Sequence, residues 1–535
     1  MCTRTITLQL RYSQVSAHVF WKQGNRKWAL EHDLADSSYN HLYRGLFAML
    51  KAPEERRQLI LTQREATHDK QKKITGNYGT FNTLAEKVKQ SNDLFLIIGP
   101  PGTGKTSYGL TCTLQEELTE PDTNILIASY TNRAVDEICS KLVELGIDFI
   151  RIGNPYSCEA DYQPYLLSEL ASHCTTLNEL KDKVEKTRVV VGTTTAFSAG
   201  TNLFKIKQFS LAIIDEASQI LEPHILPLLC ATDKQGQCAI KKFVMIGDHK
   251  QLPAVVQQSE EESAVKETSL LHIGLTNCRL SLFERLLKKY RHHPDVVYML
   301  TKQGRMHQDI AAFPNKMFYN NKLEIVPLPH QTEPAICTCS SVSDNSQPYK
   351  EKGESNCEWL HCMDTERIAF IDVKESGPKC SDKTNTAEAK VIAQALVHIY
   401  RQHQKDFTPD KTAGVIVPYR NQIAEIRRQI ASYDIDELAE ITIDTVERFQ
   451  GSQRDYILYG FTVSKHYQLR FLTATTFEEE GTTIDRKLNV AMTRARKHLL
   501  IVGNSHIISK VGLFKQLIDY IKARKSFVTW HPQQD

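Results

Sequence analysis

Residues 99–106 read Gly99, Pro100, Pro101, Gly102, Thr103, Gly104, Lys105, Thr106, directly after the apolar run Leu94–Ile98. No other stretch constrains the fold as tightly. The pattern GxxxxGK[ST] works only between a buried strand and the first turn of a helix. Its glycines let backbone N–H groups turn inward on phosphate oxygens, and the helix behind adds the positive end of its dipole. Lys105 is expected to reach the β- and γ-phosphates, and the Thr106 hydroxyl to ligate magnesium.

A second apolar run delivers two acids at its end: Leu211, Ala212, Ile213, Ile214, then Asp215 and Glu216. Open α/β sheets bind ligands at the carboxyl ends of their strands. Asp215 is expected to hold the magnesium, and Glu216 to orient and deprotonate the attacking water. No NKxD string follows, which argues against a guanine-reading GTPase.

Short apolar runs alternate with helical stretches from about residue 76 onward. Leu94–Ile98, Ile125–Ser129 and residues 189–191, 211–214 and 243–246 read as buried strands. Ile368–Val373 and residues 413–417, 441–445, 456–461 and 499–502 make a second series. Continuous apolar strands spaced by helices predict parallel sheets covered on both faces. With 535 residues, 41% hydrophobic and 24% charged, the chain is long enough for two such domains and too apolar to be largely disordered. The divisions expected are an accessory segment over 1–75, a first domain over 76–290 with a short helical insert near 154–187, and a second over 291–535 with an exposed insertion near 331–365. Within the first segment, residues 12–28 alternate weakly like strands, 41–61 read as one helix, and 64–73 as a charged connector.

Further strings recur in a fixed order. Residues 127–136 contain Thr131 and Asn132; 191–195 contain Thr193 and Thr194; 247–254 read Gly-Asp-His-Lys-Gln-Leu-Pro-Ala; and 281–286 read Ser-Leu-Phe-Glu-Arg-Leu. Later come Arg305 in Gln-Gly-Arg-Met-His, the string Val417 to Gln422, the string Thr445 to Gly451, and Arg494 in residues 489–496. Together with the phosphate loop these resemble superfamily 1 helicases, the branch containing the nonsense-mediated-decay helicase and its bacterial relatives, over about residues 76–505.

The resemblance implies two tandem RecA-like P-loop domains with ATP and magnesium between them. Gln251 would bond the γ-phosphate or the attacking water. Arg305 and Arg494, from the second domain, would reach the γ-phosphate with planar, permanently charged forks. Thr131, Asn132, Thr193, Thr194, Pro418, Tyr419, Arg420 and Thr445 would touch a nucleic-acid strand. Arg496 is expected to be structural or to touch nucleic acid, and Phe449 to be core.

Three departures from that pattern bear on base choice. Gly304 stands where relatives often place an aromatic, Asn77 and Asn82 stand where they place an adenine-reading glutamine, and Gln453 replaces a glutamate near the ribose. Loose base selectivity is expected, so that NTPs other than ATP are used. The activity implied is a helicase or translocase moving 5′ to 3′ on single-stranded DNA or RNA, acting as a monomer. The alternative is a nucleic-acid-stimulated ATPase that remodels complexes without unwinding.

The remaining features are weaker. The net charge of +3 decides little, because a phosphate-gripping groove is a local property. Thirteen scattered cysteines, a polar opening over residues 1–14 and no apolar run near bilayer length point to a cytoplasmic chain without a membrane span. Cys337, Cys339, Cys357, Cys362 and Cys380 lack the paired spacing of a zinc site. His403, Lys405 and Asp410 fit a phospholipase-D-type nuclease string, but only one copy is present where two are needed.

Overall fold

Two parallel sheets, one for each half of the chain, carry the architecture. The computed structural model describes residues 38–199, 202–335, 357–374 and 382–531. The weakly alternating residues 12–28 and Cys337, Cys339 and Cys380 lie outside the described residues. By contacts the chain divides into Met1–Asn40, almost all of it undescribed, and His41–Asp535.

The first lobe is built on β1 (Leu94–Ile98), β2 (Ile125–Ser129), β3 (Phe149–Ile152), β4 (Val189–Thr193), β5 (Phe209–Ile214), β6 (Ile240–Gly247) and β7 (Val297–Met299). Their order is β3-β4-β2-β5-β6-β1-β7, with every pairing parallel. The central strands are apolar along their length because both faces are covered. Leu84, Val88, Leu110 and Leu142 pack on one face, and Phe197, Phe204, Ile225 and Leu286 on the other.

The short strands β8 (Lys302–Gln303) and β9 (Glu324–Ile325) open the second lobe. Then come β10 (Ile368–Val373), β11 (Ala413–Ile416), β12 (Thr442–Asp444), β13 (Arg454–Gly460), the antiparallel hairpin β14 (Thr476–Glu479) and β15 (Thr482–Asp485), β16 (Ala495–Gly503) and β17 (Phe527–Trp530). The main sheet runs β12-β11-β13-β16-β10-β17, again all parallel. The chain is thus an α/β protein of two tandem RecA-like domains. Among the described residues no helix is long and apolar enough to cross a membrane.

Four boundaries differ from the sequence reading. The helix expected over 41–61 is two, Ser38–Lys51 and Glu54–Ile60, because Pro53 cannot continue a helix from the residues before it. Within the segment expected over 1–75, residues 52–60 are not separate from the first lobe: Ala52, Leu59 and Ile60 are in its core, and Arg56 donates to the Ile240 carbonyl at 2.5 Å. The charged residues after it are tied down as well, with Arg64 paired to Asp93 at 2.7 Å. The second lobe does not begin at 291, since β7 is the edge strand of the first sheet. Finally, 331–365 is not all exposed. Gln331 is buried, and helix Cys357–Thr365 buries Trp359, Cys362 and Met363 on the second sheet. The insert near 154–187 contains the short helices Leu167–Ser172 and Leu177–Lys186.

Candidate active site

The phosphate loop leaves β1 at Gly99, whose N–H donates to the Gly247 carbonyl at 2.9 Å. Gly102 and Gly104 both have φ +75°, a conformation in which only glycine is unstrained. A Cβ on Gly99 would fall 2.0 Å from Lys105 Cγ. The Thr103 hydroxyl donates to the Pro100 carbonyl at 2.7 Å and closes the loop. Pro101 lies between these anchors. The chain then enters a wide helical turn, Lys105–Leu110, before helix Thr111–Leu118.

The two acids of β5 meet this loop. Asp215 Oδ2 accepts from the Thr106 hydroxyl at 2.7 Å, and Lys105 Nζ lies 3.2 Å from Glu216 Oε1. Burial, with the neighbouring Glu216 charge, pushes the Asp215 carboxyl up. Glu216 is held below the usual carboxylate range: burial opposes this, and Lys105 with the Gln219 amide outweighs it. Its backbone is left-handed, φ +52°. Strain of that kind costs roughly 1–3 kcal/mol in a non-glycine residue and persists where surroundings over-determine it. Thr106 and Asp215 are hard oxygen donors of the sort magnesium takes, and a divalent ion would relieve the buried carboxylate.

The second lobe closes the site. Arg494, 2% exposed, donates from Nη2 to Gln251 Oε1 at 2.8 Å. Gln251 in turn donates to Asp248 Oδ2 at 2.9 Å. Arg305 lies against the phosphate loop, its Cβ 2.5 Å from where a Cβ on Gly102 would be. The Gly304 N–H donates to the Gly102 carbonyl at 2.9 Å. Burial lowers Arg494 to about 10. Burial, and then the like charge of Arg494, lower Arg305 to about 9. The buried Arg494 and the half-buried Arg305 bring two guanidiniums to the side of the phosphate loop, a site suited to a polyanion. A cavity of about 660 Å³ opens there, bounded by Thr106 and Tyr108 on one lobe and Arg305, Gln453 and Arg454 on the other. Gln453 is exposed and accepts from Arg305 Nε at 2.8 Å, so it holds that arginine.

The residues expected on a strand are less uniform. Thr131 is exposed and caps helix Asn132–Glu144, accepting from the Ala134 N–H at 3.2 Å. Asn132 and Thr193 are half-buried, and Thr193 also caps its following helix. Thr194 drops out of the set: it is the first residue of that helix, and at 1% exposure its side chain is out of reach of a strand on the surface. Pro418, Tyr419 and Thr445 are half-buried and Arg420 is exposed, at the ends of β11 and β12. Tyr419 stacks on Phe471 with centroids 5.2 Å apart. Phe449 is core, and Arg496 pairs with Asp455 at 2.8 Å. His403 lies beside the Tyr456 hydroxyl at 2.9 Å, in the packing of the second lobe. Of the cysteine cluster, Cys362 is buried. Sequence reasoning missed Tyr319, Glu479 and Arg486, all of which grip the loop carrying Gln251. No motif spacing marks them.

Two family models, each described as an AAA domain, match this chain in order: one over residues 82–189 and 173–259, the other over 278–506. The chain is 28% identical over 448 residues to the DNA replication ATP-dependent helicase/nuclease JHS1 of Arabidopsis thaliana, covering 83% of this chain and 30% of that one. It is 28% identical over 453 residues to the DNA replication ATP-dependent helicase/nuclease DNA2 of Xenopus laevis, covering 82% and 38%. It is 27% identical over 475 residues to the DNA polymerase alpha-associated DNA helicase A of Saccharomyces cerevisiae, covering 79% and 64%. The chain thus spans about a third of the length of the first two relatives. Its likeness to the solved arterivirus nonstructural protein 10 (helicase) with DNA has a TM-score of 0.37 at 12% identity, covering 78% of this chain and 63% of that one, and carries no weight. Both halves thus match AAA domains in sequence order, and the relatives over about four-fifths of the chain's length are helicases, a likeness that supports a superfamily 1 helicase.

Proposed function

We propose that this chain is an ATP-dependent motor that moves 5′ to 3′ on single-stranded nucleic acid, of the branch containing the nonsense-mediated-decay helicase. The contact between Arg494 of the second lobe and Gln251 of the first carries the reading. It joins a buried cation to the loop that follows β6, across the cleft holding Lys105 and Glu216. The names of the relatives favour DNA as the strand.

The nucleotide supplies the scissile phosphate, and the roles of the chain's own residues follow from their chemistry. The loop from Gly99 to Gly104 cradles phosphate oxygens through its N–H groups, and Lys105 neutralises them. Thr106 and Asp215 would hold magnesium, which when bound would supply positive charge against the phosphates. Glu216, kept ionised by Lys105, accepts the proton of the attacking water, and Gln251 orients that water. Arg305 and Arg494 stabilise the charge that develops on transfer, and both need the lobes together. Thr131, Asn132, Thr193, Pro418, Tyr419, Arg420 and Thr445 hold the strand backbone.

Steady-state hydrolysis with and without single-stranded DNA tests this reading. Lys105→Ala should abolish turnover. Glu216→Gln should keep nucleotide binding and stop hydrolysis. Near wild-type hydrolysis by Glu216→Gln would remove the base from the scheme. A forked-duplex assay then separates unwinding from remodelling, and RNA of the same sequence tests the choice of strand.

A further inference from the structure

Residues 248–252 belong to the first lobe by chain order, yet the second lobe holds each of them. Asp248 Oδ2 accepts from the Tyr319 hydroxyl at 2.8 Å. The His249 carbonyl accepts from Arg486 Nε at 2.9 Å, and the Lys250 carbonyl from Asn489 Nδ2 at 2.7 Å. Gln251 takes Arg494, as described, and Leu252 packs in the second lobe's apolar cluster beside Met306 and Ile310. The side chains of His249 and Lys250 converge on one acid. Glu479 Oε1 is 3.0 Å from His249 Nε2, and Oε2 is 2.6 Å from Lys250 Nζ.

Glu479 ends β14, at a turn whose central residues Glu480 and Gly481 have φ +51° and +76°. Two positive φ values make the tight turn that matches strand twist. Arg291 reinforces the contact from the first lobe, 2.5 Å from Glu479 and 3.0 Å from Glu480. Burial would raise the Glu479 carboxyl, but His249 and Lys250 overcome it and hold it far below the carboxylate range. Beside the hairpin lies a cavity of about 460 Å³. The hairpin therefore grips the loop through side-chain contacts at its end, beside the backbone contacts that Arg486 and Asn489 make from the helix that follows it.

We propose that Glu479 is a positioning residue: it fastens the loop of residues 248–251 to the second lobe, so that Gln251 keeps its register on Arg494 when the lobes move against each other. The inference rests on the motor reading above. It concerns a residue that does not line the cavity at the phosphate loop, and its effect falls on turnover rather than on nucleotide affinity.

The test compares wild type with Glu479→Ala and the size-preserving Glu479→Gln, measuring melting temperature, KM for ATP and kcat with and without oligo-dT. The expected result is an unchanged KM and an unchanged basal rate, with strand-stimulated kcat down by about tenfold. Lys250→Ala should lose stimulation too, and combining it with Glu479→Ala should add little further loss, since both changes remove the same contact. Stimulation equal to wild type in both Glu479 variants would overturn the proposal. So would a uniform fall in basal and stimulated rates that tracks a lowered melting temperature. A wild type without any strand stimulation would instead overturn the motor reading itself.

Discussion

Gly102 meets two demands at once. Its φ of +75° excludes most side chains, and a Cβ there would clash with the Arg305 Cβ at 2.5 Å. Gly102→Ala should therefore strain the loop by roughly 1–3 kcal/mol and push the second lobe away. Titration with a fluorescent nucleotide analogue should show weaker binding, and turnover should fall further than binding does. His498 makes a different prediction. Burial, then the Arg367 charge, push its imidazole down to about 3. Arg367 Nη1 donates to its Nε2 at 2.9 Å, which requires the neutral ring. An unfolded histidine takes a proton near pH 6.5, so between about 3 and 6.5 the unfolded chain binds more protons. The stability held above about pH 6.5 is lost progressively as pH falls toward 3. Urea midpoints at pH 7 and pH 5 should drop more for wild type than for His498→Phe, which keeps a ring against Tyr456; equal drops would refute the assignment. At this scale the sequence is readable where chemistry demands a local string. Lys105, Thr106, Asp215 and Glu216 sit in two short runs, after β1 and after β5, with β6 between them in the sheet. Glu479 was not readable, because His249 and Lys250 lie about 230 residues away in the chain. Thr194 was misread because neighbouring threonines at a strand end look alike until one is seen to be buried.

Among the elements, helix Leu282–Tyr290 has the most informative start. Ser281 accepts from the Glu284 N–H, and Glu284 reaches back to the Ser281 N–H at 3.2 Å. Ser281→Ala should cost about 1 kcal/mol, typical of a lost cap. Glu284→Ala should cost more, because the same carboxylate pairs with Arg486 of the second lobe. Chemical denaturation of both variants measures the difference; a smaller effect for Glu284→Ala would contradict it. The central strands were legible as unbroken apolar runs, since a strand covered on both faces has no polar side to show. β7 was not. Three residues at a sheet edge give no periodicity, and its pairing with β1 depends on a neighbour 200 positions upstream. Helix Cys357–Thr365 was hidden in a polar stretch, with Trp359 and Met363 as its apolar anchors.

For the whole molecule, two lobes around one cleft were legible because the motif arginines of the second half have work only in the first. Base choice is a property of that closed cleft. Near Gly304 it is lined by Leu328 and His330 instead of an aromatic beside the arginine. GTP should therefore be hydrolysed with kcat/KM within about 100-fold of ATP, that is, within about 2.7 kcal/mol of transition-state stabilisation. A larger gap in a side-by-side assay would show that base reading survives without the usual residues. Strand affinity should also fall steeply with salt, as phosphate contacts release counterions.

The edge position of β7 has a mechanical consequence. Val296 accepts from the Leu96 N–H, and the Leu300 N–H donates to Ile98, both at 2.8 Å. The chain thus leaves the first lobe riveted to the strand that runs straight into the phosphate loop. A hinge at this exit would sit beside the phosphate loop, giving a lever with one very short arm and one long one. A tilt too slight to break a single phosphate contact is amplified into a wide sweep at the far rim of the second lobe.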